Sequence, residues 1–332
     1  MVKGETYVKK FKEEMNNMAF SKKDKHIIVN YHYIRDPSPD FSGIHPCLID
    51  EFERQIKFLT ENYKVASIED VYKAAEEKNE ERLCAITLDD GTKDHYSNAL
   101  PILEKYKATA VFFVPTGIFE GILPYTQKIH VLLSKFDIAE IIDNFNDFLK
   151  NNFSEIYEKF FIPEDERLSD TKRHDYGGDF RIDNFKEKIT SSPKNLREDF
   201  IKNFFDKVNI SEKDLIKELF IDENEMIDMD KKGFLIGYHT HYHNAIDTLN
   251  EKEIEENLNK SKEYFKRILN KDPDFFSYPY GRSSETAIKV LKENGIRYAV
   301  TIERKGVSKN DNPLKIPRYD VNDIKDFLNS QR

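Results

Sequence analysis

Two short motifs hold most of the residues able to do chemistry. Thr87-Leu88-Asp89-Asp90-Gly91 follows an apolar run, and two adjacent carboxylates at the end of a buried strand call for compensation beyond surface solvation. A divalent cation near one of them would hold it ionised and leave its neighbour free to accept a proton from water. The bland alternative is a turn, since Asp-Asp-Gly suits loop tips.

The second motif is Gly237-Tyr238-His239-Thr240-His241-Tyr242-His243, where three of the chain's nine histidines fall within five residues. Neutral imidazole is a preferred ligand of zinc and similar ions, and a catalytic site takes about three protein ligands plus an open position. If the loop turns, His239 and His243 converge. If it stays extended, His239, His241 and His243 share a face, which makes His241 the rival ligand. A third segment, Phe275 to Gly281 (FFSYPYG), ends in a Pro-Tyr-Gly turn. It is either a strand stop or a groove wall whose Tyr280 amide faces a developing oxyanion.

These motifs end strand-like runs. His26–His32, Lys64–Ile68, Leu83–Leu88, Ala110–Val114, Phe234–Tyr238, Phe275–Tyr278 and Arg297–Ile302 are short and apolar, the pattern of strands buried on both faces. Between them, Leu48–Thr60, Ile68–Glu77, Ser97–Tyr106, Lys252–Leu269 and Glu285–Asn294 repeat apolar residues at helical spacing. The alternation predicts an α/β fold, a (β/α) barrel of about seven strands, with catalytic groups at the C-terminal strand ends. From about 121 to 230 the rhythm breaks into charged helical sequence, read as a helical insertion within a single domain spanning 1–332. The insertion is either a peripheral cap or a lid over the site.

Composition excludes several classes. With 52 basic and 61 acidic residues the net charge is −9, so no general field draws nucleic acid. Cys47 and Cys84 have no metal or disulfide spacing, and Cys84 reads as a small core residue. The N-terminal 25 residues lack a signal-type apolar region and no run is long enough to span a membrane, so the expected location is cytoplasmic.

The order TLDDG, HTHYH and YPYG resembles the polysaccharide deacetylases, carbohydrate esterase family 4. The opening YHYI, the F-x-x-Q-I-x-F-L helix and DDGTKDHYSNALPILEKYKATAVFFVPTG are similar as well. The resemblance implies Asp89 as general base, with Asp90, His239 and His243 as ligands of one divalent ion. That ion is zinc by default, with Co, Ni, Mn or Fe also fitting. It further implies Tyr280 as oxyanion-hole amide, and hydrolysis of an N-acetyl group on an amino sugar of a polysaccharide or surface-glycan precursor by a metal-activated water.

Three departures stand out. The family's arginine before the Pro-Tyr turn is replaced by Ser277, and Arg318 in IPRYD is the candidate substitute. No histidine follows His243, and His32 is the candidate for the missing general acid. Leu88 stands where Phe is usual. His95 reads as lining the groove or, more readily, facing solvent. An allantoinase- or formamide-type hydrolase, a non-catalytic carbohydrate-binding relative and an assembly protein using the insertion as an interface are the competing functions. The partner is a carbohydrate, the oligomeric state is open, and no nucleic acid is expected.

Overall fold

The computed structural model describes residues 20–168, 179–208 and 210–331. The charged segment 1–19 and the part of the helical stretch at 169–178 lie outside the described residues. Contacts divide the chain into two units, one of residues 1–36, 46–122 and 213–332, the other of 37–45 and 123–212.

The first unit is built on a parallel sheet. Its strands are β1 (His26–Tyr31), β2 (Lys64–Val65), β3 (Leu83–Leu88), β4 (Val111–Val114), β5 (Leu235–Tyr238), β6 (Phe275–Ser277), β7 (Tyr298–Val300) and β8 (Tyr319–Asp320). Seven run in the order β7-β6-β5-β4-β3-β1-β8, and β2 pairs with β3 off this path. Every residue of β1 and β3 is buried, and the two strands register from His26 opposite Leu83 to Tyr31 opposite Leu88. Burial on both faces is what continuous apolar runs such as LCAITL require. The sheet curls with helices around it, the (β/α) barrel expected from the alternation.

Residues Ile316 to Asp320 join its edges: Ile316 pairs with Val300 of β7, and Tyr319 pairs with Val29 of β1. This link was not among the expected strands, because two residues of ladder leave no periodicity to read.

Local chemistry sets the helix limits. The strand expected over Lys64–Ile68 stops at Val65 because Ser67 caps the helix Ile68–Glu76 in a capping box with Asp70. Asn250 and Glu253 form the same device before Glu251–Leu269, and Asn270 ends that helix in the left-handed conformation. After the Asp-Asp-Gly turn, His95–Ala99 winds as a π turn before the α-helix Leu100–Lys105.

The second unit is helical: Tyr125–Lys135, Ile138–Asn152, Tyr157–Phe160, Phe180–Ser191 and Lys194–Val208. Phe145, Phe185 and Phe200 pack edge-to-face at its centre, with centroids 5.1 to 6.3 Å apart. Of the helical stretch read over 121–230, residues 123–212 belong to this unit, and the helices over 213–231 belong to the first. Among the described residues no helix is long and apolar enough to cross a membrane.

Candidate metal centre and catalytic carboxylate

Asp90, His239 and His243 meet at the C-terminal ends of β3 and β5. Asp90 Oδ1 lies 3.2 Å from His239 Nε2 and 3.0 Å from His243 Nε2, and all three residues are buried. Their ligand atoms lie within 4.8 Å of one another. Zinc–ligand bonds of about 2.0–2.1 Å at tetrahedral angles put neighbouring donors about 3.3 Å apart.

The donor chemistry points the same way. His239 Nδ1 sits 2.8 Å from the Ser277 carbonyl, which only accepts, so Nδ1 carries the hydrogen and the neutral ring turns its Nε2 lone pair toward the Asp90 carboxylate. Two acceptors facing each other in a buried site need a proton or a cation between them. Burial pushes His239 down, yet Asp90 and Asp89 more than offset it and the ring holds a proton more tightly than usual. For His243 burial dominates and the shift is downward. The Asp90 carboxyl, despite burial, is held well below its ordinary range by His243 and His239. A divalent ion could take the place of the shared proton, and the set of one carboxylate and two imidazoles fits one.

The turns that gather these side chains are unusual. Asp90 (φ 82°), Thr240 (φ 58°), His243 (φ 55°) and Tyr280 (φ 60°) adopt left-handed backbone conformations without being glycine. Such conformations cost roughly 1–3 kcal/mol each and persist where surrounding contacts enforce them. Thr240 is the reason His239 and His243 converge, since its turn breaks the period of two. His241 leaves the cluster: its Nδ1 lies 2.9 Å from Thr116 Oγ1 and its Nε2 3.2 Å from Glu120 Oε2.

Asp89 stands next to the cluster with a different set of partners. Arg318 Nη1 donates to its Oδ1 (2.9 Å), Nη2 donates to Oδ2 (2.7 Å), and the Ser277 hydroxyl donates to Oδ2 (2.9 Å). The guanidinium is itself fixed by Asn30 Oδ1, Thr87 Oγ1 and the Thr301 carbonyl. Burial would raise the Asp89 carboxyl, but Arg318, with His239 and His32, brings it down to about 2. Ser277 therefore does two jobs, its hydroxyl on Asp89 and its carbonyl on His239.

His32, just past β1, is exposed and close enough to act electrostatically on both Asp89 and Asp90. Its backbone is tied to the segment after the carboxylate pair. His95 Nε2 hydrogen-bonds the His32 carbonyl at 2.9 Å, Asn98 Nδ2 donates to the Ile34 carbonyl at 2.8 Å, and Arg35 pairs with Asp94. His95 is thus fully buried against Phe112 instead of facing solvent, because the π turn rotates it inward. The Tyr280 ring packs 5.1 Å from the His243 ring, which sets the Pro279–Gly281 turn beside the candidate ligands.

Comparison with known proteins gives one consistent family. The polysaccharide deacetylase family model matches residues 76–129 and 202–299. A curated relative, poly-beta-1,6-N-acetyl-D-glucosamine N-deacetylase of Staphylococcus aureus, is 23% identical over 275 residues, covering 82% of this chain and 67% of its own. The deacetylase PplD of Streptococcus pyogenes, solved in complex with acetate, superposes with a TM-score of 0.57 at 18% identity, covering 93% of this chain and 98% of that one. IcaB from Ammonifex degensii superposes at 0.56 with 14% identity over the same shares. At these identities the structural likeness speaks for the fold. Asp89, Asp90, His239, His243 and Tyr280 all fall in the matched segments, whereas His32 and Arg318 fall outside them. The strands β3, β5 and β6, which carry Asp89, Asp90, His239, His243 and Ser277 at or just past their ends, lie in the matched segments, and over them the chain matches the polysaccharide deacetylase family.

Proposed function

We propose that the protein is a metal-dependent hydrolase that removes the N-acetyl group from an amino sugar of a polysaccharide or surface-glycan precursor. The observation that carries this reading is the convergence of Asp90, His239 and His243 beside a separate carboxylate, Asp89, locked by Arg318. The S. aureus relative is named for an N-acetylglucosamine polymer, and the S. pyogenes structure holds acetate, the product of such a reaction. Both favour N-acetylhexosamine polymers as the substrate class.

Asp90, His239 and His243 would hold the ion, with zinc the first choice for this donor set. When bound there, a divalent ion polarises a carbonyl and makes water more acidic. Asp89 takes the proton of the attacking water. Its Oδ1 accepts only the Arg318 hydrogen bond among the described residues, which leaves a lone pair for that proton. With its carboxyl at about 2, Asp89 is ionised throughout the neutral range. Arg318 and Ser277 keep it from rotating away. The Tyr280 amide, in its left-handed turn, serves the oxyanion. His32 gives a proton to the departing amine, so that the C–N bond breaks with the electron pair leaving on a neutral amine.

The test is product identification with the zinc-loaded protein on oligomers of N-acetylglucosamine. Acetate released in step with free amine supports the reading. Turnover of allantoin or a formamide without acetate from sugars would replace it with the other C–N amide class, and saturable sugar binding with no turnover would favour a binding protein.

A further inference from the structure

Three histidines lie within five residues, and the site uses two. We infer that the third, His241, is a positioning residue that holds the loop 239–243 in ligand-ready shape from outside the cluster. This inference rests on the metal reading above.

The observations are independent of the ligands themselves. The His241 side chain is fully buried, and both ring nitrogens are engaged, Nδ1 with Thr116 Oγ1 at 2.9 Å and Nε2 with Glu120 Oε2 at 3.2 Å. Its backbone is held twice more: the N–H donates to Asn257 Oδ1, and the carbonyl accepts from Gly117 N–H at 2.8 Å. A Cβ at Gly117 would fall 2.6 Å from that carbonyl oxygen, so the close approach requires glycine. Thr116 also binds Ser261 Oγ at 3.2 Å, and Glu120 accepts from Tyr264 OH at 2.9 Å. One side chain thereby fastens the loop to the turn after β4 and to the helix Glu251–Leu269.

On either side of this anchor, Thr240 (φ 58°) and His243 (φ 55°) sit in conformations that β-branched and bulky residues rarely adopt. A free loop would relax toward extended backbone, which swings His243 away from Asp90. With His241 fixed, the loop has no slack to relax, and the two ligands are presented before any ion arrives. Groups that orient metal ligands in this way typically contribute about 10- to 100-fold in affinity.

The experiment measures zinc affinity of the folded protein by competition with a chromogenic chelator, on wild type, His241→Phe, His241→Gln and His239→Ala. A contact that only stabilises the fold would move the unfolding midpoint and leave the zinc affinity of folded protein unchanged. The inference expects His241→Phe to bind zinc about 10- to 100-fold more weakly while keeping its circular dichroism, and His241→Gln, whose amide can reach Glu120, to recover most of the loss. If His241→Phe does not fold, Thr116→Val and Glu120→Gln leave the ring in place, and each should weaken zinc several-fold. Folded His241→Phe, or the two substitutes, binding zinc as wild type does would overturn the inference while His239→Ala still reports the ligand. Wild type and His239→Ala binding alike would overturn the metal reading and this inference together.

Discussion

Arg318 reaches Asp89 from 229 residues along the chain and holds both carboxylate oxygens, Nη1 to Oδ1 at 2.9 Å and Nη2 to Oδ2 at 2.7 Å. The geometry exists because the segment Ile316–Asp320 joins β7 to β1, which delivers a guanidinium into the barrel beside the end of β3. A lysine is a point charge and cannot bridge two oxygens. Arg318→Lys is expected to lower kcat/KM about 100-fold, roughly 3 kcal/mol of transition-state stabilisation, with zinc content unchanged. Arg318→Met leaves a buried carboxylate without its partner and should destabilise the fold by about 3–5 kcal/mol in urea unfolding.

Ser277 separates the two parts of the site. Ser277→Ala removes the hydroxyl from Asp89 Oδ2 and leaves the carbonyl on His239 Nδ1. One hydrogen bond to a charged group is worth about 1.5 kcal/mol, so kcat should fall about 10-fold while zinc affinity stays within about twofold. A parallel loss of zinc would show that the two contacts do not act separately.

His32→Gln tests the general acid. Loss of proton donation should lower kcat about 100-fold or more without affecting zinc binding. The loss should shrink for an acetanilide-type substrate whose amine leaves without help. An undiminished kcat on sugar substrates would remove His32 from the mechanism.

The cysteines offer a check on burial with a defined pH direction. Burial pushes the Cys47 thiol up to about 12 and Cys84 higher still. At pH 8 the thiolate fraction of Cys47 is about one in ten thousand, against roughly a quarter for an ordinary thiol. Native protein should therefore alkylate with iodoacetamide about 1,000-fold more slowly than urea-unfolded protein, and the native rate should climb with pH toward 12. Equal rates would contradict the shielding of the two thiols.

The sequence shows which parts of the site are local. Asp89-Asp90-Gly91 and His239 to His243 are contiguous and follow apolar runs, so their placement at strand ends follows from the βαβ pattern alone. His241 was ambiguous because the decision rests on Thr240, a β-branched residue that carries no signal for a left-handed turn. Of the two readings of His95, the favoured one, facing solvent, fails because a helical count does not foresee the π turn that buries it. Ser277 looked like a loss against the family pattern, and its bond to Asp89 is a contact between residues 188 apart in the chain. Arg318 was reachable only through the resemblance, since no spacing rule links Asp89 to a two-residue strand.

The most direct test of the central claim is metal stoichiometry by mass spectrometry after zinc loading and desalting, for wild type beside Asp90→Asn and His239→Ala/His243→Ala. The account predicts close to one equivalent in wild type and little or none in either variant, with acetate release lost in both. Wild type without bound metal after loading, or variants that retain it, would contradict the assignment of Asp90, His239 and His243 as the metal centre.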